Sequence, residues 1–128
     1  MKIEHIAFVV EDPDVVAKWY CDHMGMRLVR QGPPPVKMTF LADSSGQTMF
    51  EVYKQPSITT TDYFSVHHLA LHFAFYTDEI DTDFQKLISA GASVIQDPYQ
   101  TDAGDTLAML RDPWGVSIQL VKRKQKMM

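Results

Sequence analysis

The strongest constraint on this fold is that the chain repeats itself. Residues 3–10, IEHIAFVV, read as a buried strand. Asp12 and Pro13 then open a helix, Asp12 as N-cap and Pro13 at the first helical position. Its apolar face is Val15, Val16, Trp19 and Tyr20, and Gly25 stands where a left-handed cap ends it. Strand-like segments follow at 26–31, 36–42 and 47–54, separated by Gly-Pro-Pro-Pro at 32–35 and Asp-Ser-Ser-Gly at 43–46. The second half runs in the same order. An apolar strand is expected over 66–76, then a helix capped by Asp78 with Ile80, Phe84, Leu87 and Ile88 inward and Gly91 at its end. Strands are expected at 92–96, 105–111 and 116–123, the last two joined by Asp112-Pro113-Trp114-Gly115. That tetrapeptide has the residue preferences of a type I turn. An internal repeat of this size sets the architecture.

The reading is α+β: two tandem βαβββ modules, 1–54 and 66–128, joined by a polar linker at 55–65. Each sheet has a helix on one face and must cover the other, so the modules are expected to curl around a shared cleft within one structural domain. The 128 residues suit one such unit, and 45% hydrophobic content supports a packed core. A net charge of −4 speaks against a nucleic-acid surface. One cysteine, Cys21, forms no intrachain disulfide and fits a reducing compartment. With no apolar run of spanning length and no leader-like N-terminus, no membrane partner and a cytoplasmic location are expected.

The repeat also singles out polar residues within apolar strands. Laying EHIAFVV over HHLALHF matches His5 with His68, and laying FEVYK over IQLVK matches Glu51 with Gln119. A first and a last strand can be neighbours, so these four side chains can meet in the cleft. Two imidazoles with two oxygen donors suit a borderline divalent ion such as Zn²⁺, Ni²⁺, Co²⁺, Mn²⁺ or Fe²⁺. On the expected strand, His72 shares the face of His68 and lines the cleft, whereas His67 faces away. Phe40, Tyr53 and Trp114 are further cleft candidates, with Phe50 and Phe73 beside them. His23 lies near a helix end, where a cation complements the dipole.

The segments IEHIAFVVED at 3–12, HLALHF at 68–73 and RDPWGVSIQLV at 111–121 resemble the vicinal oxygen chelate superfamily, which includes glyoxalase I, bleomycin-resistance proteins and extradiol dioxygenases. The resemblance spans nearly the whole chain and is nearest to bacterial glyoxalase I. It implies a divalent-metal site at His5, Glu51, His68 and Gln119, with Gln119 where glyoxalase I carries glutamate. It further implies isomerase or lyase chemistry on a small carbonyl substrate through a metal-bound enediolate, in a symmetric homodimer. The family's base is commonly the glutamate at the place of Gln119, so Glu51, the only carboxylate of the four, is the expected base here. The alternatives within the resemblance are a metal-free antibiotic-binding protein, and a dioxygenase or epimerase.

Overall fold

A computed structural model describes residues 1–127. The chain divides into two compact units, residues 1–61 and 62–128. Each holds a four-stranded mixed sheet and one α-helix.

In the first unit the order is β1 (His5–Val9), α1 (Pro13–Met24), β2 (Arg27–Gln31), β3 (Thr39–Ala42) and β4 (Met49–Tyr53). The sheet order is β1-β4-β3-β2, with β1 and β4 parallel and the other pairs antiparallel. The Asp12 carboxylate accepts from the backbone N–H of Asp14 and Val15, at 3.0 and 3.3 Å, so two otherwise orphaned helix donors are satisfied. Gly25, at φ 66°, closes the helix. The helix buries Val16, Ala17, Trp19 and Tyr20. Val15, expected on that face, is 51% exposed, because the buried stripe runs through Val16 and Tyr20 one position further round. Under the helix lie Phe8, Leu41, Phe50 and Val52, with Phe50 edge-on to Phe8 at 5.4 Å and to Tyr20 at 5.7 Å. Burying each such side chain stabilises the unit by roughly 1.5–3 kcal/mol. Phe50 is therefore core, not cleft lining.

The second unit has β5 (Phe73–Tyr76), α2 (Ile80–Ser89), β6 (Ser93–Gln100), β7 (Thr106–Arg111) and β8 (Ser117–Lys122), in the sheet order β5-β8-β7-β6. Ile80, Phe84 and Leu87 are the buried face of α2. The N-cap is Glu79 rather than Asp78, and its side chain makes no cap bond. The capping work falls to Thr77, whose hydroxyl accepts from Glu79 N–H at 3.0 Å and donates to Asp83 at 2.6 Å. Asp78 instead accepts from the Tyr76 hydroxyl at 2.5 Å.

The largest departure from the sequence reading is at 66–72. The expected strand is short, and only Phe73–Tyr76 belongs to the sheet. Its parallel partner sets the limit. Phe73 pairs with Ile118, and β8 begins one residue earlier, just after the tight turn at 112–115. Residues 67–71 have no ladder to join, so their backbone groups bond among themselves, with Ala70 N–H and Leu71 N–H both reaching the His67 carbonyl. A 3₁₀ turn at Tyr63–Ser65 precedes them. Arg111 fastens this segment to the second sheet by donating to the carbonyls of Tyr63, Val66 and Gly115 at 2.8, 2.9 and 2.7 Å.

The turn at 112–115 forms as expected. Buried Asp112 accepts from the N–H of Trp114 and Val116, both at 2.9 Å. Gly115 sits at φ 95°, and a Cβ there would lie 2.6 Å from the Phe64 backbone nitrogen. Gly46, in the matching turn of the first unit, has φ 70° and open space around it. Gly46→Ala is expected to cost about 1 kcal/mol, the left-handed backbone term alone. Gly115→Ala adds a clash with backbone and is expected to cost at least about 2 kcal/mol. Urea unfolding of both variants checks this; equal losses would show that the turn at Phe64 yields freely.

Candidate metal and substrate site

In each unit the parallel strand pair places the polar residues on the face away from the helix. In the first unit Ala7 pairs with Glu51, and His5 lies two residues before Ala7. Alternation puts all three on one face. The Nε2 of His5 is 3.2 Å from Glu51 Oε2, so the structure brings these two expected residues together. The other ring nitrogen, Nδ1, is hydrogen-bonded to Glu4. That bond above all, helped by the charges of Glu4 and Glu51 and opposed by burial, holds the His5 pKa above its ordinary value. Phe40 lies opposite Glu51 on β3, with its ring edge-on to His5 at 5.7 Å. Tyr53, half-buried at the end of β4, pairs with Val9 on the same face.

In the second unit the residue in the place of Ala7 is Ala74, which pairs with Gln119. Two residues before Ala74 stands His72. His72, not His68, is therefore the counterpart of His5. The match of His5 with His68 rested on a continuous strand over 66–76, and the turn at 67–71 removes that strand. His68 lies in the turn, half-buried, its ring stacked on His67 at 4.5 Å. Burial, with the charges of His67, Arg111 and His72, pushes its pKa down. Trp114 lies in the β7–β8 turn, as expected, and is half-buried. Phe73 pairs with Ile118 and shares its helix-facing side.

The spacing to each helix start agrees with this match. His5 is seven positions before the helix cap Asp12, and His72 is seven before Glu79. His68 is ten before the expected cap at Asp78.

The hydrogen bonds of the two matched histidines also agree. The His72 Nδ1 is 2.9 Å from the His68 carbonyl oxygen. A carbonyl only accepts, so Nδ1 carries a proton, and in the neutral ring Nε2 keeps its lone pair. For His5 the acceptor at Nδ1 is the Glu4 carboxylate, which selects the same tautomer when the ring is neutral. Metal-ligating histidines typically donate their second ring nitrogen to a carbonyl or carboxylate in this way. The donor chemistry thus fits a divalent ion at each histidine with an oxygen donor, Glu51 or Gln119, beside it. Among the described residues no group of three or more His, Cys, Asp and Glu side chains is arranged to hold a metal ion. Nor is any helix among them long and apolar enough to cross a membrane.

Known proteins are similar to this chain in sequence and in fold. The chain is 28% identical over 129 residues to a lactoylglutathione lyase of Haemophilus influenzae, covering 97% of this chain and 94% of that protein. It is 26% identical to a probable lactoylglutathione lyase of Synechocystis, with 98% of each covered. Among solved structures, a glyoxalase family protein from Bacillus cereus superposes with a TM-score of 0.82 at 18% identity, covering 95% of this chain and 93% of that one. A glyoxalase I mutant from Zea mays gives 0.78 at 23% identity, covering 97% of this chain and 46% of that one. An antibiotic binding protein from a Streptomyces species gives 0.72 at 20% identity, with 97% of each covered. A single family match over residues 2–120 takes in both helices and both sheets up to the last two residues of β8, and the chain belongs to the Glyoxalase/Bleomycin resistance protein/Dioxygenase superfamily.

Proposed function

We propose that the protein is a divalent-metal-dependent, glyoxalase-like enzyme acting on a small carbonyl substrate, with His5, Glu51, His72 and Gln119 as metal donors. The observation that carries this reading is the shared tautomer of His5 and His72, each with an acceptor at Nδ1 and each two residues before the alanine that pairs with the oxygen donor. Each unit thus offers one histidine and one oxygen donor to a divalent ion, and a symmetric homodimer carries two copies of each pair. His72 thereby replaces His68 in the donor set. His68 contributes its carbonyl, which fixes the His72 ring.

A divalent ion bound there supplies Lewis-acid stabilisation for negative charge developing on substrate oxygen. Glu51 is the only carboxylate among the four donors. It removes the proton beside the carbonyl and returns it to the neighbouring carbon. Gln119 has no basic group and serves as an oxygen donor alone. The 26–28% identity to lactoylglutathione lyases along nearly the full chain supports this reaction class.

Elemental analysis of protein from metal-supplemented growth is the first test, and stoichiometric metal is expected. Its absence would favour a metal-free binder of small molecules. His72→Ala is expected to weaken metal binding at least about tenfold, because loss of even an outer partner costs that much. His68→Ala is expected to leave it near wild type, since the carbonyl remains. The reverse ranking would restore His68 to the donor set.

For the chemistry, Glu51→Gln keeps an oxygen donor and loses the base. Turnover of methylglyoxal with thiols is expected to fall by about 10²-fold or more with metal still bound. Full turnover in that variant would remove Glu51 from the mechanism.

Protons and metal compete for His5. Its raised pKa keeps the proton on to higher pH, and a ligand must be neutral, so binding weakens as pH falls through that pKa. Glu4→Gln removes the main cause of the raise. The His5 pKa, read by NMR titration of metal-free protein, is then expected to drop, and the metal-binding edge to move to lower pH. An unmoved titration would mean that Glu4 does not govern His5.

A further inference from the structure

On the face of the first sheet away from α1, one row of residues crosses all four strands. Arg30 on β2 is opposite Phe40 on β3, Phe40 is opposite Glu51 on β4, and Glu51 is beside Ala7 on β1. The Arg30 guanidinium carbon lies 4.9 Å from the centre of the Phe40 ring, and the same ring meets His5 edge-on. Cation, ring, imidazole and carboxylate thus form one continuous strip. The corresponding row of the second sheet is Gln96, Met109, Gln119 and Ala74. The fold builds that sheet with no charge in the row, so the cation at Arg30 is not a requirement of the architecture.

The other basic side chains that could meet an anion are engaged or unanchored. Arg111 spends its fork on backbone carbonyls, and Lys37 is paired with Asp14. Arg27 sits opposite Ala42, with no ring beneath it at that position. Arg30 is exposed, and among the described residues it forms no ion pair. A guanidinium lying over an aromatic ring keeps its edge N–H groups free, in the fork that matches a carboxylate.

We infer that Arg30 determines substrate specificity by holding a carboxylate on the tail of the substrate, while the carbonyl end lies at His5 and Glu51 and the intervening carbons cross Phe40. The placement of the carbonyl end rests on the proposed function; the carboxylate contact at Arg30 does not. Two strand spacings separate Arg30 from Glu51, about 10 Å between Cα atoms. Side chains reaching inward shorten that to the span of a chain of a few carbons. Glu4 and Glu51, on either side of His5, repel an anionic tail from the reacting end. The ends of the strip therefore differ in sign, and the substrate enters in one orientation.

The test uses ketones that differ only at the tail: 4-oxopentanoate and 5-oxohexanoate, which end in a carboxylate, against the uncharged 2-pentanone and 2-hexanone. Binding is read by ligand-observed NMR with zinc-loaded and metal-free protein. The oxo acids are expected to bind at least tenfold more tightly than the ketones of equal length. Arg30→Gln, on an exposed position, is expected to erase that preference with the thermal midpoint unchanged. Arg27→Gln removes the same charge from the same strand and is expected to keep it. Equal affinity of oxo acids and ketones for the wild type overturns the inference, as does a preference that survives in Arg30→Gln or is lost equally in Arg27→Gln. A protein that takes up no zinc yet shows an Arg30-dependent preference supports the carboxylate contact and defeats the metal reading, so the two fail separately.

Discussion

In each unit the first and last strands lie side by side and parallel, and the register of that pair governs the polar residues. Ala7 against Glu51, and Ala74 against Gln119, put a carboxylate and an amide beside a residue with almost no side chain. The histidine two residues earlier then shares its face without obstruction. A shift of one residue in either pair would turn these groups toward the helix and bury a carboxylate or an amide among apolar side chains. Phe8, Phe50 and Val52 on one side, and Ile118 and Leu120 on the other, hold the register because their burial depends on it.

The same register explains why three histidines within six residues have different roles. His72 adjoins the sheet and takes a strand-like position. His68 and His67 fall where β8 has run into its turn, so they stack on each other and supply backbone and ring acceptors to their own segment. Arg111, from the neighbouring strand, ties this segment down by its carbonyls. A side chain that could have met a substrate anion is thus committed to positioning the stretch that leads to His72.

The two sheets have matching rows and different charges. The first carries Arg30, Phe40 and Glu51, and the second carries Gln96, Met109 and Gln119. The repeated backbone supplies equivalent places twice, and the side chains make one half acidic and basic by turns while leaving the other neutral.

The sequence by itself determined the two βαβββ halves, the Asp12 cap and its proline, the Asp112-to-Gly115 turn, and the pairing of Glu51 with Gln119. These follow from local chemistry: capping oxygens, backbone freedom at glycine, and alternation along short apolar strands. Only the tertiary structure decided that His72 is the partner of His5, that Thr77 rather than Asp78 serves the second helix start, and that Phe50 is core. VHHLALHF alternates like a strand throughout, but a strand exists only as far as a neighbour offers backbone groups to bond. That neighbour ends at a turn more than forty residues further along the chain.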